Sequence, residues 1–300
     1  MSHPFAPPAR REFLRQVAGL TTAGAAALGC TWSAAATLEN SPVPVIDCHV
    51  HVGTANQMIV PWNTIGDPEE ILRNMRKGSI DRSVIFPMTN PNWYGSFELA
   101  NREIVEICRR YPGKFIGFAK HDSVAEKGRI RDLLLREIVE FGLRGYKSHS
   151  PQPTLEVMET VAELKIPYLY HPRQVSDLVA VARDFPTVDM IMAHAGPYNR
   201  IASKSVESRL EAIEAAKTHA NIYLETSRAT ETSLLEKALQ EAGPAKLCFG
   251  SDAPDCDARL EAFKIRNAMA SLNIPKEQQA MVLGGNLLRL VNKSGRQVVE

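Results

Sequence analysis

Several things are missing from this chain, and each absence excludes something. Nothing after Thr37 approaches the roughly 20 consecutive apolar residues that a membrane span requires, so the reading places no span in the mature chain. Net charge is nearly absent too, at +1 over 300 residues, which leaves no electrostatic case for nucleic acid or an anionic membrane as partner. Cysteine is scarce: of five, Cys30 lies near the N-terminus, and Cys48, Cys108, Cys248 and Cys256 are scattered through a chain large enough to need no staples. No low-complexity linker or break in composition follows Thr37. With 44% hydrophobic residues there is ample material for one large core, and a small molecule is the default partner. Homo-oligomerisation is left open.

The N-terminus is different in kind. Arg10-Arg11-Glu12-Phe13-Leu14-Arg15 precedes a weakly apolar, Gly/Thr/Ala-rich stretch from Val17 to Leu28, and Ala34-Ala35-Ala36 offers a small-residue cleavage site. Residues 1–36 therefore resemble a twin-arginine export signal, which predicts a periplasmic or secreted protein whose domain spans 37–300. An amphipathic helix that stays on the protein is the plain alternative. Ala27-Leu28-Gly29-Cys30 also resembles a lipoprotein box, with Ala27 where Leu is usual, and would anchor the chain through Cys30.

Beyond the signal, short β-branched apolar runs alternate with stretches of helical periodicity, the pattern of a parallel sheet wrapped by helices. The runs are Val43–Val52, Ser83–Met88, Phe115–His121, Leu143–Ser148, Pro167–His171, Asp189–His194, Asn221–Thr226 and Lys246–Asp252. Helices are expected at Pro68–Lys77, Phe97–Tyr111, Val124–Phe141, Thr154–Leu164, Val175–Asp184, Val206–Thr218, Glu231–Ala242, Asp257–Ser271 and near Lys276–Leu290. Eight such units predict a single-domain α/β protein, a (β/α)8 TIM barrel, in preference to an open doubly wound sheet.

His49-Val50-His51 ends the first run. Side chains alternate along a strand, so imidazoles at i and i+2 share a face and can grip one divalent ion. By the same parity, Cys48 should face away from it. In a closed parallel barrel the strand ends converge at one mouth, so the other polar residues there matter: His121, Lys147, His149, His171, His194, Glu225 and Asp252. Any one histidine in an apolar run is more often a satisfied core residue. Histidines at the ends of strands one, five and six with Asp at the end of strand eight are not easily explained that way.

The segments Ile46-Asp-Cys-His-Val-His51, Arg110-Tyr-Pro-Gly-Lys-Phe-Ile-Gly-Phe118, Gly145-Tyr-Lys-Ser-His149, Tyr170-His-Pro172, Ala193-His-Ala-Gly196, Phe249-Gly-Ser-Asp252 and Gly285-Asn-Leu-Leu-Arg-Leu290 carry a resemblance. The chain resembles the amidohydrolase superfamily in its amidohydrolase-related branch, and is similar to aminocarboxymuconate-semialdehyde decarboxylase. The resemblance implies that His49, His51, His171 and Asp252 bind one divalent ion, with zinc expected. It implies His194 beside the bound water as general base or hydrogen-bond partner, and Asp252, acidic and next to the metal, could also receive a proton from that water. Three neutral imidazoles and one carboxylate also suit zinc chemically.

Lys147 stands near the place where binuclear members of the superfamily carry a carboxylated, metal-bridging lysine. The favoured reading is a substrate-facing or structural lysine. Glu225 has the right parity for the site but equally suits a packing role, and Asp47 is read as a supporting residue rather than a ligand. Arg173 and Arg228 fall in mouth loops, where a guanidinium could hold a substrate carboxylate or simply fix a loop. Trp62, Trp93, Tyr94 and Tyr198 could wall a pocket or pack their loops down.

The expected activity is hydrolysis of a small amide, lactone or ester by a metal-activated water. The alternative is non-oxidative decarboxylation of an unsaturated or aromatic acid at the same centre. A non-catalytic periplasmic metal or solute binder is the third reading, and an ion with no open coordination position would favour it.

Overall fold

A computed structural model describes residues 43–52, 66–88, 97–149, 153–197, 202–229 and 231–295; of residues 202–205 it describes the backbone alone. The export signal, Cys30, Trp62, Trp93, Tyr94 and Tyr198 lie outside the described residues.

Eight apolar runs become eight parallel strands: β1 (Ile46–Val52), β2 (Arg82–Pro87), β3 (Phe115–Lys120), β4 (Gly145–His149), β5 (Tyr168–His171), β6 (Met190–Met192), β7 (Ile222–Glu225) and β8 (Leu247–Cys248). Each pairs with its neighbour in chain order. The ring closes beyond β8, where Cys48 N donates to Phe249 O at 2.9 Å, Asp252 N to His49 O at 2.8 Å and His51 N to Ala253 O at 2.7 Å. These bonds make the segment after β8 a partner of β1, so the sheet is a barrel of the expected kind.

The helices follow their predicted positions: α1 (Pro68–Gly78), α2 (Phe97–Arg110), α3 (Ile130–Leu135), α4 (Leu155–Leu164), α5 (Val175–Asp184), α6 (Ala202–Thr218), α7 (Thr232–Glu241) and α8 (Ala258–Ser271). Local chemistry sets their ends. Asp67 caps α1 by accepting from Glu69 N and Glu70 N, Pro68 needs no donor in the first turn, and α1 buries Ile71, Leu72 and Met75. Among the described residues, no helix is long and apolar enough to cross a membrane.

Two helices differ from expectation. The stretch predicted as one helix from Val124 to Phe141 begins at Ile130, because Asp122 Oδ1 ties Val124 N and Ala125 N into a turn and Gly128 follows at φ +80°. It ends in a π-helical turn over Arg136–Glu140. The last helix is likewise interrupted, as α9 (Lys276–Ala280), a π-helical turn at Met281–Gly285 and α10 (Asn286–Asn292).

The core has two layers. Strand faces pack against helices outside, while Ile46, Cys48, Phe86, Phe118, Leu169 and Ile191 fill the barrel below the mouth, with Leu287 and Leu290 among the buried apolar residues of that layer. Cys48 thus corrects the parity argument. The β1–β2 register shifts between Asp47 and Val50, and this bulge lets Cys48 and the adjacent His49 both face inward. Cys48, Cys108, Cys248 and Cys256 are free thiols.

Candidate metal centre

His49 is fully buried at the mouth end of β1, and its Nδ1 lies 2.7 Å from Glu225 Oε2 on β7. The same oxygen accepts from His194 N at 2.9 Å and from Ser227 Oγ at 2.9 Å, while Oε1 accepts from Ser227 N. Glu225, read as ambiguous in the sequence, is therefore the hub of the site. Gly250 makes room for it, since a Cβ there would run into the Glu225 carboxylate.

This network fixes proton positions. A carboxylate accepts, so His49 Nδ1 carries the hydrogen and Nε2 is left with its lone pair. Because Ser227 Oγ gives its one hydrogen to Glu225, it accepts from His194 Nδ1 at 2.7 Å, which leaves His194 Nε2 with a lone pair as well. His49 Nε2 is buried without a hydrogen-bond partner, although Asp252 Oδ1 is only 3.2 Å away. A lone pair facing a carboxylate oxygen is repulsive unless a cation lies between them. His51 Nε2 stands 3.1 Å from the same Oδ1. Ligand atoms sharing one tetrahedral zinc-sized ion are about 3.3 Å apart, so this geometry fits a divalent ion.

The ligand atoms of His49, His194 and Asp252 lie within 4.8 Å of one another. His171, at the end of β5, packs edge-on against His194 with ring centroids 4.6 Å apart, and His149 stands 5.3 Å from His171 and 6.0 Å from His51. Burial drives all of these imidazoles toward the neutral, ligating form: His171 falls to about 4, His51 is lowered, and His49 and His194 go well below the usual histidine range.

Backbone conformation concentrates here. His194 (φ 63°), Ala195 (φ 49°), Arg228 (φ 55°) and Asp252 (φ 61°) are all left-handed residues with side chains, just past β6, β7 and β8. Such a conformation costs roughly 1–2 kcal/mol per residue, and its clustering at a strand-end mouth is typical of functional sites.

The other predicted residues separate into three groups. Asp47 accepts from Ser251 Oγ at 2.5 Å, Ser251 N at 2.8 Å and His49 N at 3.1 Å, so it pins β1 to the segment after β8. Arg228 is ion-paired to Asp252 and to Asp255, whereas Arg173 is exposed in the turn after β5. Lys147 is fully buried, with Nζ 5.5 Å from the Phe86 ring centre.

His121 belongs to a different place. Its ring lies between Glu126 (3.0 Å) and Glu137 (2.8 Å), with Asn101 bonded to Glu137 at 3.0 Å, so it is a satisfied residue between β3 and the helices. The sequence reading missed Ser227, Ser251 and Lys120. Ser227 and Ser251 adjoin strand-end motifs, and Lys120 shares the inward parity of Phe118; these were the available signals.

A family model described as amidohydrolase matches residues 46–293. No curated protein matches the chain in sequence. Among solved structures, the chain is similar to 5-carboxyvanillate decarboxylase LigW from Sphingomonas paucimobilis, with 15% identity and TM-score 0.62 over 83% of this chain and 99% of that one. A dihydroxybenzoic acid decarboxylase from Polaromonas sp. JS666, with bound manganese and the inhibitor 2-nitroresorcinol, is 18% identical with TM-score 0.65, over 83% and 97%. An amidohydrolase from Burkholderia multivorans with bound HEPES is 18% identical with TM-score 0.64, over 83% and 99%.

Proposed function

This chain belongs to the amidohydrolase family, and on that footing we propose that it is a metal-dependent decarboxylase of a small aromatic or unsaturated acid. One observation carries the choice over hydrolysis. Two of the solved structures that share this chain's fold over nearly their whole length are decarboxylases of aromatic acids, the manganese-bound dihydroxybenzoic acid decarboxylase and the 5-carboxyvanillate decarboxylase, and this supports the reading.

The proposed ion is zinc, held by His49, His51, His171 and Asp252. A bound divalent ion would supply Lewis-acid polarisation of the substrate's oxygens. The residues themselves do the rest. Glu225 fixes the His49 ring, Arg228 orients Asp252, and His194, whose Nε2 lacks a hydrogen, takes a proton from the substrate's hydroxyl or from solvent and delivers it to the carbon as the bond to carbon dioxide breaks. The tight grouping of His194 with His49 and Asp252 favours one second arrangement, in which His194 is the fourth ligand and His171 the proton carrier. Metal content of His171→Ala and His194→Ala separates the two, because only the ligand variant loses the ion.

The deciding experiment supplies the zinc- or manganese-loaded protein with 2,6-dihydroxybenzoate, 5-carboxyvanillate and a lactone panel in ¹⁸O-labelled water. Carbon dioxide release without ¹⁸O in the organic product is expected. A product bearing ¹⁸O and no carbon dioxide would restore the hydrolase reading.

A further inference from the structure

Lys120 and Lys147 are register partners on adjacent strands β3 and β4, and both are buried within the barrel. Lys147 Nζ has no hydrogen-bond acceptor among the described residues and sits beside the Phe86 ring that also packs on His49 and His51. Among the described residues Lys120 Nζ gives one bond, to Pro87 O at 3.3 Å, at the end of the strand that carries Phe86, and lies 5.5 Å from the centre of the Phe97 ring.

Buried charges are normally paired, and these two share one backbone carbonyl between them. Burial lowers Lys147 to about 8; burial and then the Lys147 charge push Lys120 well below the usual lysine range. Their placement side by side, with Lys147 Nζ lacking any acceptor, leaves this pair of amines without a counter-ion bonded to either among the described residues. Asp252 acts on both electrostatically and Glu225 on Lys147, but Glu225 is already engaged by His49 and Ser227 and Asp252 by Arg228. A divalent ion at the neighbouring histidines adds positive charge to the same enclosure, so the balancing negative charge has to arrive with the substrate.

We infer that Lys120 and Lys147 form an anion subsite beside the metal centre that receives a second negatively charged group of the substrate. The acid processed then carries two anionic groups, either two carboxylates or a carboxylate and an ionised phenol. The identity of the first carboxylate rests on the decarboxylase reading; the subsite itself does not.

The test is calorimetric binding of benzoate and isophthalate, a monoanion and a dianion of one shape, to the zinc-loaded protein at pH 7. Isophthalate should bind at least about tenfold more tightly, as expected for one added charge-assisted contact of about 1.5–3 kcal/mol. Lys120→Met should erase that preference while leaving benzoate affinity and metal content within about twofold, and Lys120→Arg should restore most of it. Equal binding of the two acids by the unaltered protein would overturn the inference without recourse to any variant. So would a dianion preference untouched in both Lys120→Met and Lys147→Met. A dianion preference with no carbon dioxide from any aromatic acid would sink the decarboxylase reading alone, whereas carbon dioxide release with no preference would sink the subsite alone.

Discussion

Replacing Glu225 by Gln removes one charge and changes almost no volume, so it isolates what the hub contributes. The amide oxygen can take the position of Oε2, where it still accepts from His49 Nδ1, His194 N and Ser227 Oγ. Its NH2 must then occupy the Oε1 position, facing the Ser227 N–H that donates there. Two donors meet, and a buried donor left unsatisfied costs about 1–3 kcal/mol of stability. The neutral amide also makes His49 a poorer ligand, and losing such a supporting carboxylate typically weakens metal binding by about 10–100-fold. Competition with a chromophoric chelator measures the affinity, and denaturant unfolding of the metal-free protein measures the stability. A variant that binds zinc within about twofold of the parent would refute the claim that Glu225 orients a ligating His49.

Three further outcomes follow from the same structure. His121 is lowered by burial but raised to about 9 overall by its bonds to Glu126 and Glu137; its contribution, on the order of 3 kcal/mol, should be complete below about pH 6.5 and lost as pH rises through about 9. Urea midpoints across that window should fall, and in His121→Gln the fall should be largely gone. Gly250→Ala should cost about 1–3 kcal/mol and release the metal more readily, because the new methyl displaces the Glu225 carboxylate; unaltered metal affinity would show that the barrel wall can yield there. Chelation should abolish turnover and lower the melting temperature by about 10 °C for an ion present at a thousand times its Kd, and scanning calorimetry of metal-free and reloaded protein checks both direction and reversal.

What could be read from the sequence was whatever repeats along one strand or one helix. The eight apolar runs were visible because a strand buried on both faces must be apolar throughout, and six of the eight predicted runs contain their whole observed strand, the other two missing one terminal residue each, Arg82 and His149. Val43–Val52 also contained both histidines that the structure places at the mouth end of β1. Parity misjudged Cys48, since a bulge at Asp47–Val50 is a two-strand property that a single run does not encode. Helix length was overread at Val124–Phe141 because periodicity continued through Gly128, which together with the preceding Asp122 folds that entry into a turn.

The site was legible in its members and not in its wiring. Glu225 has no distinguishing neighbour in sequence: its three donors on Oε2 come from His49, 176 residues away, from His194, 31 away, and from Ser227, two away. Lys120 was hidden for the same reason, being unremarkable until β4 places Lys147 against it. Left-handed backbone at His194, Arg228 and Asp252 was equally invisible, because it is imposed from outside by the closure of β1 onto the segment after β8 and by the seating of Glu225. Local propensity opposes that conformation, so it persists only where surrounding contacts outweigh it. The barrel's own hydrogen bonds therefore hold the ligand-bearing turns in place, and the metal-free protein should keep those turns, with His194 N still bonded to Glu225. Amide exchange of His194 in the metal-free protein checks this: protection close to that of the strand amides is expected, and exchange at the rate of an open loop would mean that the ion, not the fold, builds the site.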